Sequence, residues 1–315
     1  MAAVKRLQAK TIRLGALSLV LQPKHSPERY EALFRTAVAK KTSAPARADR
    51  HAVIATFLQR KDDPGWFYGL INRFVVIDKD GAWLDFESQK AASPAEVATE
   101  VSIPDRLKPG HKFIKYAFNT SAHTFVFELA GFAQPTMQKI VAGIFERAVL
   151  DSGVGGRVKV TIIQSKDALD RIFALSTLRR LKIQLETPPN PDDLGDFDEE
   201  IEEKMKKQHA SKLVVQYEAE RDDSLQPDET TKALAQLATS VGKVEGSGKD
   251  GNGKAKKIST ANYPLVKYVR WAQRAEDIYD AIVRGAKEVV AKVREPPTPP
   301  PTPPETKAPH KDHKR

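Results

Sequence analysis

Apolar and polar positions along Thr11–Gln22 fall into two registers, with Ile12, Leu14 and Ala16 on one parity and Leu17, Leu19 and Leu21 on the other. The alternation predicts a strand, and the change of parity after Gly15 predicts a β-bulge. Ser26-Pro27 then opens a helix. The Ser hydroxyl can accept from a free backbone N–H, and Pro at the first helical position lacks an N–H that would have no partner there. Tyr30, Leu33, Phe34, Ala37 and Val38 recur at three- and four-residue intervals and form its apolar face. Residues Thr42–Asp49 are expected to be a loop. Ala52–Gln59 and Trp66–Ile77 read as strands joined by the turn-rich Lys61–Gly65. Asp80-Gly81 marks a tight turn into Trp83–Phe86, and Ser93-Pro94-Ala95-Glu96 is a capping box.

His111–Asn119 and His123–Leu129 are expected to pair as a hairpin. Pro135 starts a helix to about Leu150 that buries Ile140, Val141, Ile144, Phe145 and Val149. Beyond it, strands at Val158–Ile163, Leu178–Leu185 and Lys212–Glu220 alternate with helices at Lys166–Phe173, Asp196–Lys207 and Glu229–Val241, the last capped by Asp228. Gly242–Lys257 is expected to be a Gly/Lys loop. Trp271–Val293 reads as a long final helix with Ile278, Ile282 and Val289 on one side. The Pro-rich segment that follows cannot form a helix and has no apolar side chains to pack, so polyproline II character and disorder are expected.

Strand and helix runs are mixed rather than strictly alternating. That favours an α+β fold with mixed or antiparallel sheets and packed helices over a doubly wound parallel sheet, and split βαβ units would suit the order. The expected organisation is an N-terminal α+β domain over residues 1–151, a C-terminal α+β domain with the final helix over 152–294, and a disordered Pro/Lys-rich tail over 295–315.

Composition narrows the function classes. The chain has no Cys, which excludes a disulfide framework, zinc fingers, thiolate catalysis and Fe–S ligation together. The apolar run after MAAVKRLQAK is too short and too interrupted to cross a membrane. A cytoplasmic protein without direct membrane insertion is the expectation. The net charge of +10 is unevenly spread: residues 1–61 hold 13 Lys/Arg against 3 Asp/Glu, residues 191–240 hold 6 against 14, and residues 241–315 hold 16 against 9. Basic blocks flanking an acidic one point to a polyanionic partner, most commonly nucleic acid, with DNA favoured over RNA. The competing reading is that the charge only keeps the chain soluble.

Candidate phosphate contacts are Lys5, Arg6, Lys10 and Arg13, then Lys40, Lys41, Arg47 and Arg50, then Lys249, Lys254, Lys256 and Lys257. Gly248–Lys254 matches G-x-x-x-x-G-K, but Ala255 stands where a Ser or Thr would hold Mg²⁺, so a hairpin tip is expected rather than a nucleotide site. Asp192, Asp193, Asp196 and Asp198 with Glu199, Glu200, Glu202 and Glu203 precede Lys204, Lys206 and Lys207. That order suits the helix macrodipole, whereas a metal site needs carboxylates converging from separate elements. The histidines do not cluster, although His111 and His123 could approach across a hairpin. Trp66, Phe67, Tyr68, Phe113, Tyr116 and Phe118 could stack bases on a sheet face, with core the default reading. No catalytic residue, metal or cofactor is assigned. The expectation is a non-enzymatic nucleic-acid-associating protein. The alternative is a nuclease on a ferredoxin-like scaffold with His25, His51 or His111 as general base.

The stretch Trp66–Val149, with G-W-F-Y-G, F-V-V-I-D, P-A-E-V, F-V-F and P-T-M, resembles an uncharacterised bacterial domain-of-unknown-function family. More distantly, the order of elements over about residues 10–293 is similar to the RexA phage-exclusion family. The strands at 111–129, Gln134-Pro135-Thr136 opening a helix, the block Val158–Glu186 and the final helix after Ser259-Thr260-Ala261-Asn262-Tyr263 carry that similarity. It implies a homodimeric, DNA-associating protein acting in phage exclusion by abortive infection, with a membrane-protein partner. It assigns no functional residue, and the Gly/Lys loop and Pro-rich tail depart from it.

Overall fold

The computed structural model describes residues 9–22, 26–59, 61, 63–186, 196–272 and 275–294. Lys5, Arg6, His25, Asp192, Asp193 and the tail expected to be disordered lie outside the described residues. In chain order the elements are β1 (Ala9–Gln22), α1 (Pro27–Ala39), β2 (Ser43–Arg47), β3 (Arg50–Gln59), β4 (Trp66–Val75), β5 (Leu84–Asp85), β6 (Lys90–Ala91) and α2 (Pro94–Glu100). Then come β7 (Lys112–Asn119), β8 (Thr124–Glu128), α3 (Gln134–Ser152), β9 (Arg157–Ile162), α4 (Asp167–Phe173), β10 (Thr177–Leu185) and α5 (Asp196–Lys207). The chain continues through β11 (Leu213–Glu218), α6 (Glu229–Val241), β12 (Gly242–Lys249), β13 (Ala255–Ser259), β14 (Val266–Ala272) and α7 (Ile278–Arg294).

The fold is α+β, and its sheets are antiparallel. The larger sheet runs β14-β1-β8-β7-β4-β3-β2, with β9 added to β1. The 14-residue β1 makes this branching possible. It pairs with β8 over Leu14–Ser18 on one edge, and with β14 over Ala9–Gly15 and then β9 over Leu17–Gln22 on the other. Segments from both sides of residue 151 therefore share one sheet.

Helices cover both faces of this sheet. Leu17, Leu19 and Leu21 pack with α1 and α3, while Ile12, Leu14 and Ala16 pack with α7. This explains the two apolar registers of β1 without the bulge expected at Gly15, since the pairing continues unshifted through that residue. Gly15 serves close approach instead: a Cβ there would lie 2.9 Å from the Phe127 ring and 3.1 Å from Gln134.

Helix α1 starts as its residues dictate, with the Ser26 side chain accepting from the Arg29 N–H and Pro27 in the first turn. Its Tyr30 hydroxyl reaches the β7–β8 turn. It lies 2.6 Å from His123 Nδ1, donates to the Leu19 carbonyl and accepts from the Leu21 N–H. Tyr30→Phe should therefore cost about 1–3 kcal/mol, the usual penalty for removing a partner from buried polar groups. A lower urea midpoint at unchanged m value would register it.

The smaller sheet runs β11-β10-β12-β13. Leu181, Ile183, Leu185 and Val244 meet Leu169 and Ile172 of α4 and Leu234, Leu237 and Ala238 of α6 on one face. Ile201 of α5 packs against the same cluster.

Three local expectations change. Residues Ser43–Arg47 form the edge strand β2 rather than loop. Pro45 is tolerated there because an edge position need not donate to a ladder. Val266–Ala272 is strand β14, so Trp271 precedes the final helix, which begins at Ile278. Most of the expected Gly/Lys loop is the hairpin β12–β13. Its glycines fit where side chains cannot: a Cβ on Gly242 or Gly248 would lie 1.8 Å from a carbonyl oxygen of β10, and one on Gly246 would lie 2.4 Å from Ile172.

Candidate nucleic-acid interface

Side chains alternate across a strand, so the burial of Leu181, Ile183, Val244 and Gly246 assigns the neighbouring positions to the opposite face. The ladders set Arg180 opposite Ser247 and Glu218, Lys182 opposite Glu245 and Gln216, and Lys257 opposite Ser247. Lys243 and Lys249 share that parity on β12. The helices packed against this sheet join the apolar cluster on its other side. The outward face therefore carries Arg180, Lys182, Lys243, Lys249 and Lys257 against Glu218 and Glu245.

Glu245 organises the centre of this face. Lys243 donates to it at 2.8 Å and Lys257 lies 3.9 Å away. The Lys243 hydrogen bond holds its carboxyl below the usual range, and the charges of Lys243, Lys257 and Lys182 add to the effect. At the margin, Arg180 pairs with Glu218 at 2.7 Å, both side chains more than half exposed. Exposed pairs of this kind contribute little to stability, and their cations remain available to another anion.

The sequence-derived candidates divide among separate places. Lys249 and Lys257 belong to this face. Lys254 sits in the hairpin turn, and Lys256 lies on the opposite parity, 3.7 Å from Asp250. Lys10 and Arg13 are exposed near the start of β1, paired with Trp271 and Tyr268 of β14. Lys40 and Lys41 follow α1, and Arg47 and Arg50 face each other across the β2–β3 turn. Five strand-to-strand steps separate β1 from β2, about 24 Å, so these residues do not converge. Arg180, Lys182 and Lys243 were missed by the sequence reasoning. Their signal was present as cations alternating with apolar residues or glycine, Arg180-Leu181-Lys182-Ile183 and Lys243-Val244-Glu245-Gly246.

The G-x-x-x-x-G-K match forms the end of β12 and its turn. Asp250 Oδ1 accepts from the N–H groups of Asn252 and Lys254, so these amides already serve the turn. His111 begins the β7–β8 hairpin and the buried His123 lies in its turn, which puts the two at opposite ends rather than in contact. His51 stacks on Phe74. Among the described residues no group of three or more His, Asp or Glu side chains is placed to hold a metal ion. Trp66, Phe67, Tyr68, Tyr116 and Phe118 are core residues, and Phe113 is half exposed beside Lys115. The segment from Asp196 is helical, as expected. Among the described residues no helix is long and apolar enough to cross a membrane.

The class defined by these features is an α+β protein with antiparallel sheets, whose four-stranded sheet carries a cation-rich face opposite the helices that pack on it among the described residues. The chain belongs to the DUF4747 family, a domain of unknown function, whose model matches residues 10–287. No curated protein matches it.

Proposed function

We propose that the protein associates with nucleic acid, duplex DNA first, by tracking its phosphates along the outward face of the smaller sheet without reading base sequence. The observation that carries this reading is the grouping of Arg180, Lys182, Lys243, Lys249 and Lys257 on the face of the smaller sheet opposite its packed helices. Lys and Arg on a sheet supply point charges and donors to phosphate oxygens, and such contacts carry no sequence information. The polar neighbours Ser247, Ser259 and Gln216 can donate to the same oxygens. Action in phage exclusion, as a homodimer with a membrane-protein partner, is the setting that the RexA resemblance implies.

Phosphate contacts release counterions. If all five cations engage, the salt slope should be about −4.5, and affinity should fall roughly 500-fold between 50 and 200 mM salt. Anisotropy of a fluorescein-labelled 20-base-pair duplex measures this. Changing Arg180, Lys182, Lys249 and Lys257 together to Ala should flatten the slope by up to about 3.6 units. Changing Lys40, Lys41, Arg47 and Arg50 should move it by less than about one unit. Absence of binding to DNA or RNA at low salt overturns the reading, and equal losses from both quadruple variants would move the interface.

Glu245 supplies a counter-test. It is the anion among Lys182, Lys243 and Lys257, so Glu245→Gln should tighten DNA binding and steepen the slope by up to about one unit. Weaker binding would show that the carboxylate positions the lysines rather than competing with phosphate.

A further inference from the structure

Between β4 and β7 the chain leaves the large sheet for residues 76–111, which carry the β5–β6 hairpin and α2. Asp85 faces Lys90 across the hairpin, and α2 is held by a reciprocal capping box in which Ser93 and Glu96 each accept from the other's backbone N–H. Lys79 donates to the Ile103 carbonyl and pairs with Asp105, tying the two ends of the excursion together. Hairpin and helix enclose a groove of about 440 Å³. Trp83 and Val97 contribute to its apolar lining, Asp85, Glu87, Glu96 and Glu100 make up its charge, and among the described residues no Lys or Arg lines it.

Two features combine in this groove. Phe86 is 81% exposed and Leu84 63% exposed, both lining the groove. Removing such side chains from water is favourable and supplies a driving force for docking. The acidic lining also belongs to a protein of net charge +10. Asp85 is held below the usual carboxylate range by its Ser88 hydrogen bond, and Glu96 by the Ser93 N–H, so both are anionic at neutral pH.

We infer that this groove docks a cationic, amphipathic segment of a partner protein. Apolar side chains of that segment pack against Phe86 and Leu84 while its Lys or Arg residues meet Glu87 and Glu100. Charge complementarity selects the occupant: four carboxylates repel nucleic acid, and the apolar lining rewards a ligand that brings both charge and hydrocarbon. Small ligands are largely enclosed by their pockets, whereas Phe86 and Leu84 stand exposed and suit a polypeptide laid across them. The groove is separate from the basic sheet face, so the inference does not depend on nucleic-acid binding.

The test uses the full chain and a labelled fourteen-residue peptide of Leu and Lys at helical spacing, with a Leu/Glu peptide of the same spacing as control. The expected result is saturable binding of the Leu/Lys peptide and none of the control. Binding should weaken at least about tenfold in Leu84→Ser/Phe86→Ser and in Glu87→Gln/Glu100→Gln. All four residues are exposed, so both variants should melt with the wild type. Unchanged peptide affinity in either variant overturns the inference, as does equal binding of the Leu/Glu peptide. Sedimentation showing a dimer that Leu84→Ser/Phe86→Ser dissolves would overturn it in favour of a second copy of the chain.

Discussion

Phe34→Ala is expected to destabilise the protein by about 4 kcal/mol, within the range for removing a fully buried aromatic ring. Phe34 projects from α1 into the larger sheet and has no exposure. Its ring meets Phe145 edge-on at 4.7 Å between centroids, Phe118 at 5.3 Å, Phe67 at 5.5 Å, Phe57 at 5.6 Å and Tyr116 at 5.9 Å. These partners come from α3, β7, β4 and β3, so one ring links helix to helix and both to the sheet. Such rigid neighbours cannot close over the vacated volume, and the cavity term adds to the transfer term. The melting temperature should fall on the order of 10 °C. Phe34→Leu, which keeps most of the volume, should cost much less. A loss below about 1.5 kcal/mol for the Ala variant would mean that the cluster is loosely packed.

Gly69→Ala is expected to cost about 3 kcal/mol, although it adds a single methyl group. The ladder between β3 and β4 shifts register between Ile54 and Thr56. This brings the Thr56 carbonyl over Gly69, where a Cβ would lie 2.0 Å from that oxygen and 2.7 Å from the Tyr116 ring and hydroxyl. Neither neighbour can yield cheaply. Tyr116 donates its hydroxyl to the Thr56 carbonyl at 2.9 Å, and Tyr279 of α7 donates to the Gly69 carbonyl at 2.7 Å. Burial pushes the Tyr279 phenol up to about 12, so it remains a donor throughout the neutral range. The methyl group must displace backbone and loosen both tyrosines. Thermal unfolding of Gly69→Ala beside Gly251→Ala separates this from a general glycine effect. Gly251 lies in the hairpin turn with nothing within 4 Å of its Cβ position, and its replacement should stay within about 0.5 kcal/mol.

The candidate interface was half legible for a definite reason. Lys249 and Lys257 attracted notice because they sit in a lysine-rich run, and charge density along the chain is visible without a fold. Arg180 and Lys182 lie in a balanced stretch of the chain, where nothing separates them from solvated surface. They join the lysines only because β10 pairs with β12. Conversely, Arg47 and Lys10 belong to one basic block of sequence yet lie on strands five steps apart in the larger sheet.

The chain by itself determined the elements whose signals are local. Helix α1 follows from Ser26, Pro27 and its spaced apolar residues, α6 from Asp228 and its Ala/Leu face, and the β7–β8 hairpin from two short apolar runs. The mixed order of these elements was enough for the α+β class. Tertiary structure alone decided that β1 is buried on both faces, that β14 returns from the far end of the chain to pair with it, and that paired strands take up most of Gly242–Ser259 on either side of the expected tip. Periodicity states which side of an element is apolar, because that depends on residues two to four positions apart. It does not state which strand lies alongside, because that choice is made by packing between segments distant in sequence. The glycines of β12 show the difference most plainly: locally they weaken a strand, and only the close approach of β10 and Ile172 makes the absent side chains an advantage.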